Sequence, residues 1–517
     1  MFVPVGIDTA AHAYQTLRWL HSGFQFWDNY WYDGRYSFID YSLLYYPLAG
    51  LIGEVPTVVA SVAASGFLFA RIVSERFGPS SVWPVRVFAT TVAVVVWVSG
   101  EYPFALGLAL GLAALWLRRA RLPLAPLAAL GALLASPLAF LLLLVEFAGV
   151  ALGNLRRLPR IDLVIGLGLC LLVAIVLQRA FPITGAFHYN FWALFQVLGM
   201  ATIAWLASLG LDGVASIRGI FATMAIAAIA AYIVPSPLGG NATRLVDYLG
   251  APLIWILLAR QRRERGLSWA TVTAVGALVL AGQLAPTVIS AALTLTARSD
   301  NPAFWSGAIR FLRDHGNPNF RVEAVDTADH WDAYYLPAAG IPIVRGWFRQ
   351  DDFPANMLLY RAAVSAAGYR AWLRRNGVRY VVLPKDVLDY SAAAEARLLR
   401  SGRAGLPVVY EDPFVTIFAL PHPTPLLVPP PGRRGSVLDF GHSSLRLQLG
   451  GAGVYRLAVN YTPYWLLRPA SAACLAPAPD GLSALVARRG GVITMRFHPT
   501  LHWPLGGSAR ACRLPTA

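Results

Sequence analysis

Residues 56–296 form an almost continuously apolar stretch, which is interrupted only by short loops that contain arginine, glycine, proline or asparagine. A membrane-spanning helix needs about 20 consecutive apolar residues, because the hydrocarbon core of a bilayer is about 30 Å thick. The stretch is many times longer, and it predicts a bundle of membrane-spanning helices. The candidate spans are 56–73, 84–99, 103–117, 123–135, 138–153, 161–178, 189–209, 217–234, 245–259 and 268–296.

The composition changes at residues 298–302, where Arg-Ser-Asp-Asn-Pro ends the apolar stretch. Only 14% of the 517 residues are charged, against about 25% in a typical soluble protein, but charges recur throughout residues 300–517. We therefore predict a membrane part followed by a water-exposed part. The predicted domains are 1–55, an external loop with an interfacial amphipathic helix; 56–297, a multispan transmembrane domain; 298–425, an α/β domain; and 426–517, a small β-sandwich.

The water-exposed part shows two patterns of secondary structure. Helical patterns at 301–315 and 361–375 alternate with strand patterns at 320–325 and 378–383, which predicts an α/β unit. From about residue 432 onward, short alternating strands are separated by glycine, proline and asparagine, which is typical of an antiparallel β-sandwich.

The positions of the arginines predict the topology. Arginine clusters stand at 118–121 and 156–160, on either side of the apolar stretch 123–153. Short loops rich in arginine stay in the cytoplasm, so the chain must cross the membrane an even number of times between the clusters. The stretch is therefore predicted to be a hairpin of two spans that turns at Ser136-Pro137. This assignment makes residues 1–55 and the part after residue 300 extracytoplasmic, and because the chain would then begin outside, we expect a preceding N-terminal helix to be missing from it.

The net charge of +16 does not indicate nucleic-acid binding, because no helix or strand carries a basic face with interleaved aromatic residues. The sequence also lacks a P-loop, a dinucleotide-binding glycine motif after a strand, a His-Glu-x-x-His motif and a Cys-x-x-Cys motif. ATPase, Rossmann oxidoreductase and zinc protease functions therefore have no support. Cys474 and Cys512 fall in the predicted oxidising compartment, where a disulfide can form, whereas Cys170 is expected to be inert packing within a span.

The N-terminal segment combines acidic and aromatic residues. Asp8 stands where it can cap an amphipathic helix over residues 9–22. Aromatic side chains settle at membrane interfaces, so an interfacial belt is one interpretation of this segment. The alternative is that Asp8 is a general base at the membrane surface, which requires it to reach the hydroxyl that it activates. The aromatic residues concerned are Trp19, Trp27, Tyr30, Trp31, Tyr32 and Tyr36.

Several motifs resemble the GT-C superfamily of membrane glycosyltransferases. The first external loop of those enzymes resembles Gly6-Ile7-Asp8, His12, Tyr14, Gly23, Trp27, Tyr32-Asp33-Gly34 and Tyr46-Pro47-Leu48, and later regions resemble Gly100-Glu101-Tyr102-Pro103-Phe104 and Gly240-Asn241-Ala242-Thr243-Arg244-Leu245. The resemblance implies a multispan enzyme that uses polyprenyl-phosphate sugars, with Asp8 at the position of the catalytic acidic residue. His12 and Asp33 become candidate substrate-binding residues, and a divalent cation becomes a candidate cofactor.

Three further polar residues are candidate substrate-binding groups in the membrane part. Glu101 lies at the predicted external end of a span, where ionisable groups are costly and often functional. Arg244, next to Asn241, has the planar guanidinium that matches phosphate oxygens. The alternatives are an interfacial glutamate paired with an arginine and an ordinary interfacial arginine.

In the water-exposed part, residues 330–335 and 345–352 concentrate aromatic and charged side chains. His330, Trp331 and Arg345 are therefore candidate saccharide-binding residues, because sugars are bound by aromatic faces and planar polar groups. The alternative is a structural network of turns and ion pairs.

The leading hypothesis is an inverting glycosyltransferase at the outer face of the plasma membrane. Its partners would be membrane lipids, a polyprenyl-phosphate-sugar donor and a glycan or lipid acceptor of the cell envelope, without nucleic acid. The alternatives are a transporter or flippase for a lipid-linked envelope precursor, and a non-catalytic envelope scaffold.

Overall fold

The computed structural model describes residues 6–39, 41–120, 122–153, 161–182, 185–187, 189–499 and 512. The chain divides into two compact units. The helical unit comprises Met1–His12, Ile39–Gln178 and Pro182–Leu295, and the sheet unit comprises Ala13–Phe38, Arg179–Phe181 and Thr296–Ala517. The first 55 residues, which the sequence presents as one external loop, are thus shared between the units.

The ten predicted spans correspond to helices α3–α12 of the helical unit. Their bounds are α3 Glu54–Phe77, α4 Val82–Ser99, α5 Tyr102–Arg119, α6 Ala125–Ala135, α7 Pro137–Leu152, α8 Ile161–Ala180, α9 Phe191–Ser208, α10 Ala215–Ile233, α11 Arg244–Arg265 and α12 Trp269–Thr294. The shorter helices α1 Thr9–Ser22 and α2 Tyr45–Ile52 precede them, and α1 continues into the sheet unit. Within the described residues, six helices are long and apolar enough to cross a membrane, which supports a multipass membrane protein.

The boundary between α6 and α7 agrees with the predicted turn. Ser136 is extended (φ −158°, ψ 112°), and its side chain accepts a hydrogen bond from the Ala139 N–H, which begins α7. Proline at position 137 suits the first turn of a helix, because no intrahelical partner is needed there for an N–H group. Two apolar helices therefore replace one long span. The arginine cluster at 156–160 lies outside the described residues.

The sheet unit contains the predicted α/β region. Its sheet has the strand order β3-β4-β6-β5, with β3 parallel to β4 and the other pairs antiparallel. The strands are β3 Arg321–Ala324, β4 Val378–Pro384, β5 Val408–Glu411 and β6 Val415–Ala419, and the α-helices of this region are α13 Pro302–His315, α14 Asp332–Ala338, α15 Arg349–Ala355, α16 Ala366–Arg375 and α17 Ala393–Arg400.

Two four-stranded antiparallel sheets follow, in the orders β12-β13-β10-β7 and β11-β14-β9-β8. Burial alternates along β9 and β14, as it does where one face of a sheet packs against a core. The strands are β7 Leu427–Val428, β8 Gly435–Phe440, β9 Ser444–Leu449, β10 Gly453–Asn460, β11 Trp465–Arg468, β12 Ala473–Pro477, β13 Leu482–Ala487 and β14 Gly491–Phe497. The layout of helical bundle, α/β region and β-sandwich confirms the predicted fold class, and the Cys474–Cys512 disulfide is formed.

The interpretation of the N-terminal aromatic residues as an interfacial belt is wrong for four of them. Trp27 and Tyr30 belong to the hydrophobic core of the β-sandwich. Trp31 is fully buried, and its indole N–H donates a hydrogen bond to the Ala333 carbonyl; Tyr32 is also buried. Aromatic rings with one polar atom suit both an interface and a core in which that atom is bonded, so composition alone does not separate the two. Part of this segment forms a two-stranded antiparallel sheet, which consists of β1 Trp27–Asp28 and β2 Arg35–Tyr36.

Candidate functional site

Two glycine-containing motifs meet in the helical unit. Gly100 ends α4 in the left-handed conformation (φ 75°). A Cβ atom on Gly6 would lie 2.3 Å from the Gly100 nitrogen, and one on Gly100 would lie 2.8 Å from backbone of the N-terminal segment. The Asp8 N–H donates a 3.0 Å hydrogen bond to the Ser99 carbonyl. Glycine at both positions therefore lets the N-terminal segment lie against the turn that carries Glu101.

Arg244 joins the two acidic residues of these motifs. Its Nη2 lies 3.6 Å from Asp8 Oδ2, and its Nε lies 3.3 Å from Glu101 Oε1. The guanidinium also stands over the Phe104 ring, 5.3 Å from the centroid, and hydrogen-bonds the Tyr41 side chain. The side chains of Arg244 and Glu101 are each 12% exposed, and that of Asp8 is 19% exposed. One guanidinium thus serves two carboxylates that solvent still reaches.

The two carboxylates stabilise Arg244 at the position that it occupies in its helix. Arg244 is the first residue of α11, where the positive end of the helix dipole disfavours a cation. Two carboxylates offset that cost. Glu101 is fixed further by the Tyr248 hydroxyl, which donates a 2.8 Å hydrogen bond to Glu101 Oε2. Burial raises the pKa of Glu101, while the Arg244 guanidinium lowers it and the Asp8 carboxylate raises it.

His12 lies one helical turn after Asp8 in α1 and is fully buried. Four tyrosine rings surround it, with centroids 5.1–6.0 Å away, and its Nδ1 lies 3.2 Å from the Tyr46 hydroxyl. Among the described residues, its Nε2 has no hydrogen-bond partner. Burial and then the charge of Arg244 lower the pKa of His12 to about 3, so the ring is neutral at physiological pH.

Sequence reasoning missed a third carboxylate beside this cluster. Asp247, in the first turn of α11, accepts hydrogen bonds from Gln196 (3.2 Å) and Thr243 (2.9 Å). An acidic residue inside an apolar helix is costly and is itself a signal of function, so Asp247 could have been selected on that ground. The candidate Asn241 lies in the 3₁₀ turn that leads into α11. Tyr41 and Tyr248 were also missed, since tyrosines near a membrane are common.

The remaining candidates lie in the sheet unit and are buried. His330 is 1% exposed and stacks on Trp347 at 3.4 Å between ring centroids, and Trp331 is 6% exposed. Arg345, 1% exposed, binds Asp326 and Asp352. Residues buried in this way present no surface to a saccharide, so the arrangement matches the alternative of a structural network.

Asp33 is also buried within the sheet unit, where its carboxylate pairs with Arg321 Nη1 at 2.9 Å. Asp28 contacts the Tyr14 hydroxyl (2.8 Å) and His442 Nδ1 (2.9 Å). Both carboxylates therefore have structural partners in that unit. The described residues contain no group of three or more His, Cys, Asp or Glu side chains placed to hold a metal ion.

No family model matches the sequence, and no curated protein matches it either. Among solved structures, the chain is similar to the Archaeoglobus fulgidus oligosaccharyltransferase tethered to an acceptor peptide that contains an NVT sequon, with 12% identity and a TM-score of 0.32. It is also similar to the oligosaccharyltransferase AglB of that organism in complex with an inhibitory peptide and a dolichol-phosphate, with 13% identity and a TM-score of 0.33.

Each of these alignments covers 73% of this chain and 65% of the solved chain, so this chain spans less than two thirds of the enzymes that it matches. A likeness at these TM-scores carries no argument about activity, and the chemistry of the site has to supply it.

Proposed function

We propose that the protein is a membrane glycosyltransferase that moves a sugar from a polyprenyl-phosphate-linked donor to a hydroxyl of a cell-envelope glycan or lipid, at the outer face of the plasma membrane. One observation carries the proposal: Asp8 and Glu101, the acidic residues of two motifs that resemble GT-C enzymes, share the guanidinium of Arg244. A base and a phosphate-binding cation at one membrane-edge site are what this transfer requires.

In the proposed reaction Asp8 accepts the proton of the acceptor hydroxyl. The hydroxyl oxygen attacks the anomeric carbon, and the bond between that carbon and the phosphate oxygen breaks. The polyprenyl phosphate leaves with the bonding electron pair, and the configuration at the anomeric carbon inverts. The guanidinium of Arg244 stabilises the negative charge that develops on the leaving phosphate, and this electrostatic interaction favours its departure.

The two ion pairs of Arg244 suggest how the donor enters. The contact with Asp8 is the longer one, at 3.6 Å, and Asp8 is the more exposed carboxylate. A donor phosphate that takes the place of Asp8 on the guanidinium releases the carboxylate to accept a proton. Glu101, which Tyr248 also holds, keeps Arg244 in position during this exchange.

The test measures binding of polyprenyl phosphate to the full chain in nanodiscs of neutral lipid, with polyprenol as the control that lacks the phosphate. Arg244→Gln should weaken polyprenyl phosphate binding about tenfold or more, since charge-assisted bonds to phosphate are lost. Arg244→Lys should bind polyprenyl phosphate with an affinity between those of the wild type and Arg244→Gln, because an ammonium does not form the paired bonds of a guanidinium. Equal binding of polyprenol and polyprenyl phosphate, or full binding by Arg244→Gln, would overturn the proposal.

The outer-face location rests on the arginine bias of the loops. A reporter fused after residue 300 should be active only outside the cytoplasm, and one inserted at residues 260–266 only inside. Reversed signals would move the site to the cytoplasmic face. A flippase would instead carry the donor across the bilayer without cleaving it, and a scaffold would tolerate replacement of the acidic residues.

A further inference from the structure

A polar pocket lies in the helical unit, where the last turns of α3 and α11 meet the loop between α9 and α10. Its volume is about 430 Å³, which falls in the range typical of small-ligand pockets. We infer that this pocket binds the phosphate group of an anionic ligand, separately from the site at Arg244. The lining residues that carry the inference are Arg76, Asp212, Gly213, Arg260, Arg263 and Glu264.

Two of the arginines are held in place by the loop backbone. Arg76 Nη2 donates to the Gly213 carbonyl at 3.2 Å, and Arg260 Nη1 donates to the Asp212 carbonyl at 2.8 Å. Glu264, one helical turn from Arg260, binds its Nε and Nη2 at 2.7 and 2.6 Å. Guanidinium groups that are already fixed lose little further freedom when they bind an anion, which favours affinity.

The charge of the pocket favours a negative ligand. Three guanidinium groups face only two carboxylates in the lining. Within the described part of the chain, the exposed Arg263 side chain has no ion pair or hydrogen bond, so its donors remain available. Asp212 contributes its carbonyl to Arg260, while its carboxylate adds a negative charge that opposes an anion.

Neighbouring arginine–tryptophan pairs indicate that the pocket lies at the level of lipid headgroups. Arg262 stands 4.4 Å from the Trp269 ring centroid at the start of α12, and Arg218 stands 5.8 Å from that of Trp205 near the end of α9. Tryptophan and arginine collect at membrane interfaces, and basic pockets between the ends of spans bind anionic headgroups. The phosphate can come from a lipid headgroup or from a free phosphate ion.

The experiment measures the thermal stability of the full chain in nanodiscs of phosphatidylcholine with increasing fractions of phosphatidylglycerol. A parallel series adds inorganic phosphate to phosphatidylcholine nanodiscs, against sodium chloride of equal ionic strength. We expect the anionic component to raise the Tm of the wild type. In each of the single variants Arg76→Gln and Arg263→Gln, the concentration of the anionic component that gives half of the rise in Tm should increase about fivefold. The reason is that one arginine near an anionic surface contributes about one kilocalorie per mole.

Two further variants separate a pocket from general surface charge. Arg71→Gln removes an arginine from the same helix outside the pocket and should leave the half-effect concentration unchanged. Asp212→Asn removes the opposing carboxylate and should lower the half-effect concentration. A response to phosphatidylglycerol alone identifies a lipid headgroup as the ligand, and an equal response to inorganic phosphate identifies the free ion. If Arg71→Gln weakens binding as much as Arg263→Gln, or neither anion raises the Tm, the inference is overturned.

Discussion

The helical unit and the sheet unit each contain one arginine that faces two carboxylates, but the bonding differs. In the sheet unit, Arg345 contacts Asp326 at 2.6 Å and binds Asp352 through two nitrogens at 2.8 and 3.0 Å, with all three side chains at most 3% exposed. In the helical unit, the corresponding distances from Arg244 are 3.3 and 3.6 Å, and the side chains are 12–19% exposed.

This difference separates two uses of the same three groups. A sealed cluster with short ion pairs is closed to a ligand, and breaking it exposes an uncompensated charge to a nonpolar interior. A looser and accessible cluster can exchange a partner for substrate. We therefore expect substitutions at Arg345 and its partners to affect folding, and substitutions at Arg244 and its partners to affect turnover.

The largest expected effect is on catalysis by Asp8→Asn. The change keeps the size of the side chain and its ability to cap a helix, but it removes the capacity to accept a proton. Sugar transfer should fall by about 10²–10⁴-fold while the Tm stays near that of the wild type. The assay follows release of polyprenyl phosphate from a panel of polyprenyl-phosphate monosaccharides, with the exposed Asp314→Asn as the matched control. Undiminished transfer by folded Asp8→Asn would move the base to Glu101.

The next effect is on stability, through Asp352→Asn. This change leaves Arg345 with one charged partner in a buried site and should destabilise the sheet unit by about 3–5 kcal/mol. Limited proteolysis of the full chain in detergent, across a series of urea concentrations, measures the loss. The adjacent Asp351, which is 17% exposed and pairs with Arg35, provides the control Asp351→Asn, with a smaller expected loss. Equal losses in the two variants would show that the sealed pairing of Asp352 with Arg345 contributes no more to stability than the more exposed pairing of Asp351 with Arg35.

Glu101→Gln should have an intermediate effect on turnover, about tenfold, because its amide oxygen still accepts from Tyr248 while the charge that positions Arg244 is lost. The pH profile distinguishes positioning from a general loss of structure. Without the neighbouring negative charge the carboxylate of Asp8 ionises more readily, so the acidic limb of kcat/KM should move to lower pH. An unshifted limb, together with a tenfold loss, would assign Glu101 a merely structural role.

The sequence predicted the membrane helices well, because a long apolar run has few alternatives. It also selected Asp8, Glu101 and Arg244, although it did not show that they touch, since that contact depends on the packing of Gly6 against Gly100. The buried sites were harder to predict. A charged residue such as Arg345 or Asp33 looks the same in the sequence whether its side chain binds a sugar or pairs with another charged side chain. Only the tertiary structure distinguishes the two cases.

The smallest expected effect compares one buried histidine in each unit. Burial, the first cause in both cases, lowers the pKa of His12 and of His330 to about 3. Arg244 also lowers the pKa of His12, whereas at His330 the Asp389 carboxylate raises the pKa and two arginines lower it. The unfolded chain gains a proton on each ring below a pH of about 6.5, whereas the folded chain does not until about pH 3. Stability is therefore complete above pH 6.5 and declines as the pH falls from 6.5 toward 3, by about 1.4 kcal/mol per histidine between pH 7.5 and 5.5.

The variants His12→Phe and His330→Asn should each remove this dependence from one unit only. Asparagine tolerates the left-handed backbone at residue 330 (φ 56°), and phenylalanine suits the tyrosine-lined space around residue 12. Limited proteolysis in urea at pH 7.5 and 5.5 gives the stability of each unit. The raised pKa of Glu101 has the opposite effect, since it stabilises the folded state as the pH falls. Both the wild type and His12→Phe contain Glu101, so its contribution cancels in the comparison. If the difference between the two pH values is the same in His12→Phe as in the wild type, protonation of His12 does not oppose folding of the helical unit.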